Sequence, residues 1–151
     1  MGAPSPETLL GVLFDLKIGL DDFDLLFTDR RVVAAKTGTS GMGHIVGGVV
    51  GAVILSALER TARDRYAGLS PEQILHAHKR NFAIPFASVE SAELNGGIPS
   101  ITIPSLTFRA GGKKTRFGMM SSFWKKDQAS IANAKELLRV TLGAKAEFKK
   151  V

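Results

Sequence analysis

The chain has 151 residues, no cysteine and a formal net charge of +6, a length that suits one domain with a core of its own. Without a thiol, disulfides, Cys-ligated zinc, iron–sulfur clusters and cysteine catalysis are all excluded. With 44% hydrophobic and 23% charged residues, the composition is globular rather than disordered.

The apolar run Leu9–Leu16 reads as a strand and Gly19–Asp22 as a turn. Phe23–Thr28 and Arg31–Lys36 read as two strands around a tight Thr28-Asp29-Arg30 corner, because aromatic and β-branched residues suit a pleated surface. Gly38–Gly43 is a glycine-rich loop, and the apolar rows of Ile45–Arg65 have helical spacing. Ser70-Pro71-Glu72-Gln73 signals a helix start, with Ser as cap, Pro at the first position and Gln at the third, running to about Arg80. Asn81–Pro85 and Phe86–Leu94 are extended, and Asn95-Gly96-Gly97 is a turn. Ser100–Arg109 follows as a strand, with a bulge or edge position expected at Pro104. Gly111-Gly112 makes a hairpin turn into Lys114–Met120. Asp127 caps a last helix through Leu142 with the apolar face Ile131, Ala134, Leu137, Leu138, Val140 and Thr141, and Gly143 stops it. The basic tail Ala144–Val151 has room for one more strand.

Charge is uneven along the chain. Residues 1–29 carry six acids (Glu7, Asp15, Asp21, Asp22, Asp24, Asp29) and one base, Lys17, whereas Arg109 to Lys126 holds six bases and no acid. Two explanations are open: the acidic start folds beside the basic stretch, or the basic stretch meets an anionic partner. Met1–Thr8 has no basic residue, so no secretory signal is expected there. These features fit a cytoplasmic protein, or one peripheral to a membrane.

Three segments carry a resemblance. The stretch 23–33 (FDLLFTDRRVV), the stretch 83–94 (AIPFASVESAEL) and the stretch 113–117 (KKTRF) ahead of a helix occur in that order. Together they resemble prokaryotic pleckstrin-homology-like (PH-like) domains. The resemblance spans most of the chain except about residues 37–80. It implies an α+β, mainly β fold: a bent antiparallel barrel capped by a C-terminal helix, one domain over residues 1–151. It also implies binding of lipid headgroups, membranes or proteins rather than catalysis. The family's lipid sites commonly use the first strands and their loop, where this chain offers only Lys17 against several aspartates. That composition disfavours phosphoinositide binding at the family's usual place.

Residues 37–80 depart from the family as a two-helix insertion. Gly43, Gly47 and Gly51 recur every fourth residue and so share one helix face. Gly47, Gly48 and Gly51 inside a helix cost roughly 2–3 kcal/mol together, which close packing has to offset. That face, with Leu55, is expected against the barrel, against a second copy of the chain, or at a membrane. The densest apolar part, Ile45–Leu58, would span about 21 Å as a helix, short of the ~30 Å of a bilayer core. A single crossing would also divide the sheet between two sides of the membrane.

The sites that would indicate chemistry are absent or incomplete. Gly38–Gly43 is followed by His44-Ile45 and lacks the Lys-Ser/Thr of a phosphate loop, and Ser40 is not in a nucleophile elbow. His76 and His78 are about 200° apart on a helix and cannot share a zinc ion. Asp21, Asp22 and Asp24 lack calcium-loop spacing and are expected as turn carboxylates, and Trp124 as a core anchor. No metal and no cofactor are expected. The reading is a noncatalytic binding module for a protein or an anionic ligand or membrane surface, self-associating through Gly43, Gly47, Gly51 and Leu55. Its expected anion surface is Arg109, Lys114, Arg116, Lys125 and Lys126, with Lys114 and Arg116 on one strand face. The alternatives are a nucleic-acid-binding protein, disfavoured because aromatics for base stacking are not interleaved with the bases, and a small-molecule enzyme using Asp24, Asp29 or a histidine, for which no nucleophile–base pair is evident.

Overall fold

The structure is a computed structural model that describes residues 7–39, 66, 69–98, 101–119 and 128–151. The chain runs β1 (Leu9–Ile18), β2 (Asp21–Thr28), β3 (Arg31–Thr39), α1 (Pro71–His76), β4 (Phe82–Pro85), β5 (Val89–Asn95), β6 (Ser105–Ala110), β7 (Lys113–Gly118), α2 (Gln128–Leu142) and β8 (Ala146–Lys149). The eight strands form one sheet in the order β4-β3-β2-β1-β7-β6-β5-β8. Neighbours are antiparallel except β5 and β8, a parallel pair whose second strand the chain reaches through β6, β7 and α2. The fold is therefore mainly β with a C-terminal helix.

Connectivity and side-chain size curl this sheet. β4 lies at one edge and β5 near the other, yet a single three-residue turn, Phe86–Ser88, joins them. In a flat sheet β4 and β7, four places apart, would be separated by about 19 Å. The Phe82 and Phe117 rings instead stack with centroids 6.2 Å apart. Phe23 meets Phe117 edge-on at 6.4 Å, and Phe27 meets Phe108 across three strand places at 6.4 Å. The aromatic side chains of β2, β4, β6 and β7 thus meet inside the curve, with Leu13, Leu25, Leu94 and Leu106. α2 closes the interior with Ile131, Ala134, Leu137, Leu138 and Leu142.

β1 needs an irregularity to keep its leucines inside. Leu13 faces Leu25 and Leu16 faces Phe23, so three steps of β1 oppose two of β2. The extra residue is absorbed at Asp15, which takes a left-handed φ of 59°. Its N–H donates to Asp24 Oδ1 at 3.2 Å. A bulge of this kind hides the two-residue period, which explains why the Leu9–Leu16 run shows no alternation.

β2 is buried on both faces. Phe23, Leu25 and Phe27 point into the curve, while Leu26, with Val33 and Ala35 of β3, packs outward against Tyr66 and Ile74. α1 belongs to that outer layer. Its start has the expected capping box, Ser70 accepting from the Gln73 N–H and Gln73 accepting from the Ser70 N–H. Its far end is held by Asn81, whose amide donates to the Ile74 carbonyl at 2.8 Å and whose Oδ1 accepts from the Lys36 N–H at 2.7 Å.

Several expectations need correction. α1 ends at His76 rather than about Arg80, and β3 continues past Lys36 to Thr39. Asp22 and Asp24 are strand residues, each only 3% exposed, not turn carboxylates. Lys17 pairs with Asp22, and Tyr66 Oη donates to Asp24 at 2.7 Å, so burial is balanced by partners. Residues 86–88 form a 3₁₀ turn where an extended run was expected. β6 begins after Pro104 instead of bulging at it, which leaves Ile101 outside the strand and 72% exposed. Val140 points to solvent and Leu142 takes its place in the core, because 140 lies about 200° around the helix from Leu138.

One ion cluster ties the first strand's approach to the outer layer. Arg31 donates through Nε and Nη2 to the Glu7 carboxylate at 2.9 and 3.0 Å, and through Nη2 to Glu72 at 2.8 Å. Burial of Glu7 acts to raise its pKa, but the hydrogen bonds from Arg31 and Thr28 outweigh it and hold the carboxyl below its ordinary value. The bonds to Glu7 and then Glu72 raise the pKa of Arg31 in turn. Bonds from Arg31 and His76 lower that of Glu72.

Two measurements check this account. Phe117→Ala removes the ring on which Phe23, Phe82 and Phe108 converge. It should lower unfolding free energy by about 3–5 kcal/mol in urea titrations; a loss under about 1 kcal/mol would mean the curl does not depend on that ring. Glu7→Gln should cost about 1–3 kcal/mol at neutral pH. Because the folded-state pKa of Glu7 is depressed, its contribution is present above its ordinary value of 4.5 and is lost as pH falls below it. The urea midpoints of wild type and variant should therefore converge in acid.

Candidate functional site

The outer face of β7, β6, β5 and β8 is polar, as strand alternation requires once Leu94, Leu106, Phe108 and Phe117 are inside. Register sets it out in rows. Lys114 is opposite Arg109, and Arg109 is opposite Ser91. One row further, Arg116 is opposite Thr107, Thr107 is opposite Glu93, and Glu93 is opposite Glu147. Lys113 pairs with Ala110 and belongs to the other face. A shallow groove of about 300 Å³ lies here, lined by Ser91, Glu93, Thr107, Arg109, Lys114, Glu147 and Lys149.

The charges of this groove fall into two groups. Arg109, Lys114 and Arg116 are exposed on β6 and β7. Among the described residues their side chains make no ion pair or hydrogen bond. On the β5–β8 side Lys149 Nζ lies 3.2 Å from Glu93, while Glu147 has no ion pair among the described residues. Two cationic heads with the hydroxyls of Ser91 and Thr107 beside them can hold an anion by charge-assisted hydrogen bonds.

The acidic start of the chain does not neutralise these bases. Glu7 is taken by Arg31, Asp22 by Lys17, and Asp21 by Lys36 at 3.5 Å and Arg80 at 3.1 Å. The expected anion residues are thus divided. Arg109, Lys114 and Arg116 come together on one face, with Lys114 and Arg116 side by side as alternation required. Lys125 and Lys126 lie outside the described residues, as do Gly43, Gly47, Gly51 and Leu55 and the ring of Trp124. Sequence reasoning missed Ser91, Glu93, Thr107, Glu147 and Lys149. Thr107 was legible by counting back two from Arg109, but Glu147 and Lys149 join the face only through the parallel pairing of β8.

A second hollow, about 540 Å³, is lined by Glu7, Arg30, Arg31, Ser70, Pro71, Glu72 and Pro85. It is larger, but Arg31 is already engaged by two carboxylates, so its role is to hold the outer layer down. Among the described residues there is no cluster of metal-ligating side chains and no helix long and apolar enough to cross a membrane.

No family model matches the chain, and no curated protein sequence matches it. Among solved structures it is similar to the hSac2 domain from human phosphoinositide phosphatase Sac2, at 14% identity over 99% of this chain and 81% of that one, with a TM-score of 0.46.

Proposed function

We propose that the chain is a noncatalytic binding module of the pleckstrin-homology-like kind, in which residues 37–80 are an insertion. Its binding face is the outer side of β6 and β7, and its ligand carries a phosphate or a similar oxyanion. One observation carries this reading: Arg109, Lys114 and Arg116 share an exposed face and have no acidic partner among the described residues. Three of the six early acids, Glu7, Asp21 and Asp22, are bound to other bases. Guanidinium and ammonium groups in adjacent cross-strand positions offer an oxyanion several donors at once.

A phosphate on a lipid headgroup and a soluble one present the same oxygens, so the test has two arms. Vesicles of phosphatidylcholine with phosphatidylserine are floated with the protein, and inorganic pyrophosphate is titrated calorimetrically. Binding in either arm should weaken at least about tenfold in the double variant Arg109→Glu, Lys114→Glu and should fall with added salt. Wild-type binding that survives the double variant would move the site elsewhere, and no binding in either arm would end the reading. Binding in the vesicle arm alone would make the ligand a membrane surface.

Self-association is a second proposal, carried by the four-residue spacing of Gly43, Gly47 and Gly51. Sedimentation should show an assembly that Gly47→Leu with Gly51→Leu breaks. A wild-type chain that stays monomeric at high concentration would overturn it.

A further inference from the structure

The basic face carries two carboxylates that an anion-binding surface does not need. Glu93 and Glu147 stand directly opposite each other in the parallel β5–β8 pair, both on the outer side. Like charges in that relation destabilise a sheet. Lys149, two residues beyond Glu147, offsets only Glu93, at 3.2 Å. Glu147 is left exposed and without an ion pair among the described residues. Thr107 separates Glu93 from Arg116 in the same row, so Glu93 lies two strands, about 10 Å, and Glu147 three strands, about 14 Å, from the cations of β7. The nearer separation is close to the ~8 Å screening length at physiological salt and the farther lies beyond it, so Glu147 is felt only by a ligand that extends past the basic strands toward β8.

We infer that Glu93 and Glu147 are the selectivity element of this face: they confine it to a compact oxyanion seated at Arg109 and Lys114 and turn away an extended polyanion. The inference rests on the binding reading above and adds to it the size of the ligand. A group the size of a phosphate reaches Arg109, Lys114 and the hydroxyls of Ser91 and Thr107 without lying over β8. A nucleic-acid duplex cannot do so. It carries a charge about every 1.7 Å along its axis, so seating it on the basic strands brings further phosphates over the carboxylates of β5 and β8. Glu147, two strands from Thr107, opposes that contact while leaving the compact ligand nearly untouched, whereas Glu93, directly opposite Thr107 and offset by Lys149, bears on both ligands. Lys149 limits the effect, and for that reason Glu147, which Lys149 does not offset, carries most of it.

The test compares two soluble probes. Inorganic pyrophosphate is titrated calorimetrically, and a fluorescent DNA duplex of about 20 base pairs is followed by anisotropy at about 50 mM salt, where phosphate contacts are strongest. The wild type should bind pyrophosphate and leave the duplex almost free. Glu147→Gln, an exposed change with no partner to lose, should raise duplex affinity by about threefold, and Glu93→Gln with Glu147→Gln by about tenfold or more. Pyrophosphate affinity should rise by less than about twofold in Glu147→Gln, and in the double variant by less than the duplex affinity does. Duplex binding unchanged by either variant, while Arg109→Glu with Lys114→Glu still abolishes pyrophosphate binding, would overturn this inference and leave the binding reading standing. Pyrophosphate binding that ignores Arg109→Glu with Lys114→Glu would remove both.

Discussion

The link between β4 and β5 is the constraint from which the rest of the architecture follows. Three residues join a strand at one edge of the sheet to a strand next to the other edge, and no flat arrangement permits that. The sheet has to curl until its distant strands share an interior. Phenylalanine fills that interior because its ring reaches across the gap that aliphatic side chains would leave. α2 then covers the remaining apolar surface, and its C-terminal glycine, with φ of 55°, turns the chain back for β8. The parallel β8 strand is a product of that return, since a parallel neighbour needs a crossover connection.

Curling also divides the surface by charge. The outer side of β1–β3 is covered by a second layer, and Glu7, Asp21 and Asp22 are each paired there with one or more bases. The outer side of β5–β8 has no such cover among the described residues; Lys149 pairs there with Glu93, while Arg109, Lys114 and Arg116 have no acidic partner among those residues. The +6 charge of the chain is thus not spread evenly. Among the described residues, three bases without an acidic partner gather where β6 and β7 turn toward solvent.

Legibility in the sequence followed the range of each signal. The capping box at Ser70, the hairpin at Gly111-Gly112 and the stop at Gly143 are local, and each sits where the residues indicate. The basic face was legible because alternation fixes which of Lys113, Lys114 and Arg116 point together. Three features were not legible. Burial of Asp22 and Asp24 depends on an outer layer more than forty residues away in sequence. The clamp of Arg31 joins Glu7 and Glu72 across 24 and 41 residues. The carboxylates beside the basic face enter through β8, and no period in the sequence pairs a C-terminal strand with β5.

The corner between β2 and β3 responds to acid in a way its hydrogen bonds define. Thr28 Oγ1 accepts from the N–H groups of Arg30 and Arg31, and its one proton has two acceptors within reach, the Glu7 carboxylate and the Arg31 carbonyl at 3.0 Å. When Glu7 takes up a proton, the hydroxyl can turn its own toward the Arg31 carbonyl and goes on accepting from the two N–H groups, which fill both of its lone pairs. The hairpin keeps its full set of bonds while the attraction to the guanidinium disappears. Low pH therefore weakens the tie between the segment entering β1 and β3 and leaves the turn itself intact, so that the two bonds between Thr8 and Asp29 become what fastens that segment to the corner.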